Sequence, residues 1–510
     1  MGSIWSDNSY VKEVNRNVTR IWNRKNQNTP QDNKEVGSNF NDWRMPISTF
    51  AENESYLTER LQENACVGKY EISNDLWQNS CGVVNEITQL FQKTLHVVSA
   101  RKYPCLTFGD LVKQGSSREG LKIRQPDEFD MILPFTIEGV DICAVPALDN
   151  NGEQVFPLVN LEISDNGQTK TVMSCDQYQS LRTDGVFETR GSNLILNAMC
   201  FQTRVISSIM DTTISEIQKA IDEQMPDGTC SFTLNKASVF PPTYRFKISI
   251  ESKADVDELS YGRNLFATLR QSALVPKWSK ESKAIEFDIV PGLLLPSGSV
   301  PNPDGSLPLT WDRYAVMKWV HKGRYVDDYP DPNLLWKESV CGFEKHIIDV
   351  SCKNESYLYI LTACRIMKAY INGLDKSSQL FCLVSSYHLK NIAIHSILLQ
   401  LEVSGVREAL SYFLTFLEIS IEQEFLPHHF YDNPNICRMF PNFQSEDNRK
   451  RVNLFRDIHH HHFTRAKLSL KEMQADLREL FTGSCYPGNQ QIIDSFRDLC
   501  SVYDKTNTGR

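Results

Sequence analysis

At 510 residues the chain exceeds what one simple core takes, so two lobes with extensions are expected. Its 41% hydrophobic and 10% aromatic content is that of a globular protein, and a net charge of -9 excludes a surface built as a whole for nucleic acid. Fourteen cysteines stand singly, with no C-x-x-C pair and no structural-zinc spacing, which predicts reduced, mostly buried thiols in a cytoplasmic protein.

In chain order, Met1-Gly2-Ser3-Ile4-Trp5-Ser6 fits the M-G-x-x-x-S pattern for N-myristoylation. Residues 1-45, rich in Asn, Asp, Arg and Ser, read as a polar mobile tail. A short helix is expected over Ser48 to Glu63. Leu76, Val83, Val84, Ile87, Leu90, Phe91, Leu95 and Val98 recur at helical spacing and predict a long amphipathic helix over Asn74 to Ala100, stopped by Lys102-Tyr103-Pro104. Strands are expected within Met131 to Leu161, a second long helix over Asn193 to Glu223, and strands again over Phe240 to Ile250 and Ala284 to Val290, the last ending at Pro291-Gly292. Residues 46-300 thus predict helices on a mixed sheet. Pro296 to Pro308 reads as a boundary loop. Residues 310-482 read as a helical second lobe, with helices over Leu358 to Tyr370, Leu380 to Gln400, Val406 to Glu422 and Leu468 to Phe481. Residues 483-510 read as a polar extension. No apolar run approaches the roughly 20 residues that span a bilayer.

Chemistry concentrates between Gly115 and Asp130. Glu128-Phe129-Asp130 on a strand puts both carboxylates on one face and Phe129 on the other. Paired hard carboxylates suit Mg²⁺, and the Gly115-Ser116 turn upstream offers N–H groups and a hydroxyl to phosphate. Asp288 sits among Phe287, Ile289 and Val290, an unusual place for an acid unless it binds a cation or a partner; Glu286 on the same strand face is its rival. Three carboxylates on adjacent strands suit two Mg²⁺ ions. In the second lobe, Ser385-Ser386-Tyr387-His388-Leu389-Lys390 opens a helix with capping serines and an aromatic face for a base, and Lys368 lies on the preceding helix.

Gly115-Ser116 with Lys122-Ile123, Pro126, Glu128-Phe129-Asp130, Asp288, Trp336-Lys337-Glu338-Ser339, Glu344-Lys345 and Ser385 to Lys390 resembles the animal cyclic GMP-AMP synthases and cyclic GMP-AMP synthase-like receptors of the wider Mab family, co-linearly from about residue 74 to 430. The resemblance implies an α+β, bilobed nucleotidyltransferase fold. Its parts would be a mixed sheet, a long spine helix, a helical C-terminal lobe and an active site in the cleft. It implies synthesis of a cyclic dinucleotide second messenger from ATP and GTP with release of pyrophosphate, cyclic GMP-AMP first among products, for innate immune signalling through a downstream cyclic-dinucleotide receptor. By motif, Glu128, Asp130 and Asp288 would be catalytic metal ligands for Mg²⁺ or Mn²⁺. Ser116, Lys337, Ser339, Cys341, Glu344, Lys368, Ser386, Tyr387, His388, Leu389 and Lys390 would bind nucleotide.

Lys337 stands where vertebrate members carry Arg, and Cys341 where they carry Ser; Lys lacks the planar bidentate fork of Arg, so another product such as cyclic UMP-AMP stays open. The histidine-cysteine insertion of the vertebrate zinc thumb is missing, so no zinc is expected. Its absence resembles the receptors that answer to double-stranded RNA, read by shape and backbone, with double-stranded DNA the alternative activator. Lys93, Arg101, Lys102, Lys277, Lys280 and Lys283 are the candidate nucleic-acid contacts, and a homodimer on nucleic acid is one arrangement. The rival of another class is a non-catalytic Mab-type scaffold; a nucleotidyltransferase that extends a polymer is the third reading.

Overall fold

The computed structural model describes residues 43–152, 154–163, 167–224, 230–234, 243–250, 284–300, 309–318, 329–436, 452–456, 458–480 and 488–501. They form a mixed α+β structure: one open, mixed sheet of twelve strands and a helical C-terminal part. The N-terminal elements are α1 (Tyr56–Glu63), α2 (Asn74–Lys102), β1 (Leu106–Phe108), β2 (Val112–Gln114), α3 (Gly115–Glu119), β3 (Glu128–Ile137), β4 (Ile142–Leu148), β5 (Gln154–Ile163), β6 (Phe187–Arg190) and β7 (Asn193–Leu196). Then come α4 (Ser207–Gln224), β8 (Cys230–Leu234), β9 (Tyr244–Ile250), β10 (Ala284–Val300), β11 (Leu309–Met317) and β12 (Trp336–Ser339). The strands run β1-β3-β10-β11-β12-β5-β7-β6, with β2 on β3, β4 on β5, β9 on β10 and β8 on β9.

The spine helix forms where its apolar stripe predicts. Ser73 caps it, its hydroxyl accepting from Leu76 N–H at 3.4 Å. Trp77, Val84, Phe91, Leu95 and Val98 are buried in one core with Phe129, Phe135 and Phe287 of the sheet. The second long helix starts later than expected. Leu194, Ile195 and Leu196 instead pair as β7 with β5 and β6, and the helix follows from Ala198 with a π-helical stretch at Phe201–Ile206. Cross-strand pairing there overrides a pattern that also fits a helix.

Strand β10 does not stop at Pro291-Gly292; it runs to Val300. Its ladder to β9 ends at Ile289 and its ladder to β11 begins at Gly292, so the missing N–H of Pro291 falls where the partner changes. β11 and β12 therefore belong to the sheet, although helix was expected from residue 310.

Beyond them lie α5 (Cys341–Ser351), α6 (Glu355–Gly373), α7 (Gln379–Leu383), α8 (Ser386–Leu398), α9 (Val406–Gln423), α10 (His460–Leu480) and α11 (Gln490–Ser501). The helix expected over 380–400 is two. Val384 and Ser385 are extended, and Ser385 restarts the chain as an N-cap with His388 in a capping box. Helix α11 corrects the expected polar extension: Ile492, Ile493, Phe496 and Leu499 are buried, and Phe496 stacks on Phe416 with ring centroids 4.1 Å apart.

The expected tail is also docked at its end. Trp43 is buried, donates from Nε1 to Asn85 Oδ1 at 3.1 Å and sets its ring edge-on to Phe129 at 4.9 Å. Arg44 N–H donates to Ser117 O and Ile47 N–H to Gly120 O, while Thr49 N–H donates to Thr362 Oγ1 on α6. Residues 43–49 thus lie across the join between sheet and helices. Among the described residues no helix is long and apolar enough to cross a membrane.

Candidate active site

Strands β3 and β10 are parallel and in register, Glu128 beside Glu286, Phe129 beside Phe287, Asp130 beside Asp288. Alternation does the rest: both phenylalanines enter the core and all four carboxylates share the opposite face. One oxygen each from Glu128, Asp130 and Asp288 lie within 4.8 Å of one another. Glu286, the rival on the same strand face, is outside that group.

Helix α3 presses against this face. Ser117 Oγ donates to Glu128 O at 2.8 Å, and Gly115 packs so closely that a Cβ there would collide with the Asp130 carboxylate. Gly115 also has φ +68°, so only glycine fits on both counts. Burial, then repulsion from Glu128 and Asp288, pushes the Asp130 carboxyl up to about 7. Arg245 on β9 answers part of that charge: Nε and Nη2 each reach an Asp288 oxygen at 2.7 Å, and Nη2 lies 3.4 Å from Glu128 Oε1. Three hard oxygen donors, of which Glu128 and Asp288 already hold a cationic guanidinium, could hold a hard cation such as Mg²⁺ or Mn²⁺.

A pocket of about 560 Å³ joins this face to the helices. Ser116, Glu128 and Asp130 line it from the sheet side, and Lys368, Ser386, Tyr387 and Lys390 from the helical side, so seven of the expected site residues meet there. Further lining residues were not assigned to the site from sequence, among them Glu119, Lys122, Arg124, Asp127 and Asn372. Lys122 is buried and pairs with Asp127 at 3.2 Å and Glu128 at 3.5 Å. Lys368 Nζ donates to Leu121 O at 3.3 Å, and burial, with Lys122 nearby, lowers its ammonium to about 8. An ammonium such as that of Lys368, held on a backbone carbonyl beside a pocket, is suited to phosphate oxygens.

The expected residues differ in what holds them. Lys390 is held between Glu119 at 3.0 Å and Glu344 at 2.7 Å, an ion triad that ties α3 to α5 and α8. Tyr387 shares a hydrogen bond with His428 Nε2 at 3.0 Å and donates to Glu344 Oε1 at 3.1 Å, with Lys390 Nζ 5.4 Å from its ring centre. His429 lies 3.5 Å from the same Glu344 oxygen, and burial holds both histidines well below their usual range. Leu389 faces the helical core and does not line the pocket. His388 accepts from Ser385 N–H through Nδ1 at 3.2 Å and sets its ring against Phe455, so it builds the helix start instead of the pocket wall. Lys337, Ser339 and Cys341 lie around β12 and the start of α5, outside this pocket's lining. Burial lowers the Lys337 ammonium and raises the Cys341 thiol to about 12.

Of the candidate nucleic-acid contacts, Lys93 is exposed on α2. Arg101 pairs with Glu216 of α4 at 2.9 Å. Lys102 Nζ is turned onto α4, donating to Ser208 Oγ at 2.9 Å and Thr212 Oγ1 at 2.7 Å, which spends its ammonium on helix packing. Lys277, Lys280 and Lys283 lie outside the described residues.

No protein-family model matches the chain, and no curated protein matches it.

Proposed function

We propose that the chain is a metal-dependent nucleotidyltransferase that joins ATP and GTP into a cyclic dinucleotide when double-stranded RNA is bound. The observation that carries this reading is the strand register that sets Glu128, Asp130 and Asp288 side by side, at the edge of a pocket whose far wall supplies Lys368, Ser386 and Tyr387. Glu128, Asp130 and Asp288 would hold Mg²⁺ or Mn²⁺. When bound, the metal would favour the ionised sugar hydroxyl and neutralise charge building on the leaving pyrophosphate.

The chain's own residues supply the rest. Lys122 and Lys368 face the pocket with ammonium groups for a triphosphate, and Ser116 offers a hydroxyl beside them. Tyr387, its hydroxyl fixed by Glu344 and His428, presents a ring for a base to stack on. The Lys390–Glu119 pair ties α3, which carries Ser116 and abuts Asp130, to the helical wall. Both halves of the pocket are thereby set before substrate enters, which is how positioning accelerates a transfer. The family resemblance of the motifs supplies the cyclic product and the RNA trigger.

The test is to incubate purified protein with all four ribonucleotides, Mg²⁺ or Mn²⁺, and a panel of double-stranded RNA and DNA, and to identify the nuclease-resistant products. A cyclic purine dinucleotide that forms with RNA is the expected result. No product with any activator would leave the scaffold reading, and product with DNA alone would reassign the trigger.

A further inference from the structure

Arg245 lies on the acidic face and has no part in the transfer proposed for the pocket. It stands opposite Asp288 in the antiparallel β9–β10 ladder, with Lys247 opposite Glu286, so three adjacent strands carry acid, acid and base on one open face. Its guanidinium takes both oxygens of Asp288 at 2.7 Å, reaches Glu128 at 3.4 Å and lies 3.6 Å from Glu286 through Nη1. One fixed positive charge thus engages two of the three carboxylates that would ligate a metal.

We infer that Arg245 makes this site discriminate against a free divalent ion and in favour of one that arrives on a triphosphate. The inference rests on the metal-and-nucleotide reading of the pocket. A free ion must take oxygens from Glu128 and Asp288 while a guanidinium remains beside it, with two like charges close together and the fork deprived of its partners. An ion carried on a triphosphate brings anionic oxygens of its own. The fork of Arg245, a third exposed and in reach of Glu128, which lines the pocket, can pass from Asp288 to those oxygens with its bidentate hydrogen bonds replaced. Arg245 is then a specificity-determining residue: it sets which form of the metal is accepted and steadies Asp288 until that form arrives.

The experiment titrates full-length protein with Mn²⁺ alone, following free Mn²⁺ by electron paramagnetic resonance, and repeats the titration with a non-hydrolysable ATP analogue. Relative to wild type, Arg245→Met should bind Mn²⁺ alone about ten-fold more tightly, the size expected for one partly screened charge, and the Mn²⁺–analogue complex about ten-fold more weakly. Arg245→Lys keeps the charge without the fork and should fall between, a readout that remains if the Met variant does not fold. Mn²⁺ affinity unchanged or weakened in both variants overturns the inference. Asp130→Asn separates the two readings. If it weakens Mn²⁺ binding while the Arg245 variants do nothing, the metal site stands and only the role of Arg245 fails; if it binds Mn²⁺ as wild type does, the metal reading falls and takes this inference with it.

Discussion

The two walls of the pocket use the same residue types to opposite ends. On the strand wall, Glu128, Asp130 and Asp288 crowd like charges together, and burial, with their repulsion added, holds the Asp130 carboxyl up to about 7. On the helical wall, Glu119, Lys390 and Glu344 alternate in sign and close on one another, with Tyr387 and His428 completing the hydrogen bonds. The first arrangement sets carboxylate beside carboxylate, with Arg245 and Lys122 answering Glu128 and Asp288 from the side; the second sets one ammonium between two carboxylates that it holds apart. Charged residues beside a pocket are therefore not equivalent candidates for ligand contact, and the deciding question is whether their charge is already matched.

The sharpest break in that comparison comes from Asp130→Asn. Product should fall on the order of a thousand-fold, since a metal-ligating carboxylate supplies several kcal/mol to such a transfer. Stability should move the other way. The folded-state value of Asp130 lies above the ordinary 3.8, so its contribution is fully present in acid and is lost as pH rises through about 7. The Asn variant should therefore have the higher urea midpoint at pH 8 and no advantage at pH 4. An equal midpoint at both would mean that neither burial nor its neighbours hold the Asp130 carboxyl above its ordinary range. Lys390→Met is the mirror experiment on the helical wall. It strands two buried carboxylates and should cost about 3–5 kcal/mol in urea unfolding, while Mn²⁺ affinity stays within about two-fold. A large change in Mn²⁺ binding with little change in stability would erase the distinction between the walls.

Smaller effects sharpen it. Lys368, lowered to about 8 by burial, is charged below that pH and neutral above it. Affinity for a triphosphate analogue should fall about ten-fold between pH 7 and 9, and Lys368→Arg, always charged, should abolish the fall. A flat wild-type profile would remove Lys368 from the phosphate site. His388→Ala should cost about 1 kcal/mol through the loss of a helix-cap partner, with analogue affinity unchanged by calorimetry. Weakened binding would return His388 to the pocket.

Much of the strand wall was legible because it needs only alternation: Glu128 and Asp130 around Phe129, Asp288 beyond Phe287, each fixed by which neighbours seek the core. Arg245 was not. Its strand was expected, but which carboxylate it would face depends on the β9–β10 register, a long-range pairing that no local pattern encodes. On the helical wall, the Ser385 cap was readable while the roles of Lys390, His388 and Leu389 were not, because they depend on Glu119, Glu344 and Phe455 brought in from elsewhere. Helix α11 had a signal in Ile492, Ile493, Phe496 and Leu499, spaced along one helical face, that its polar flanks obscured.

The short run from Trp43 to Thr49 has a mechanical consequence. Trp43 backs Phe129, the residue between two of the carboxylates; Arg44 pairs with Asp349 at 2.5 Å, and Arg118 of α3 pairs with the same Asp349 at 3.0 Å. Arg365, fully buried on α6, donates to Ile47 O and to Lys122 O, the latter at 3.1 Å. Seven residues fully extended reach only about 25 Å, so this run acts as a short tether riveted at both ends. The sheet and the helices are not free to swing apart like two halves of a hinge. Any widening of the pocket has to peel the tether from one side first, and the rivet that gives way selects whether α3 moves with the sheet or with the helices.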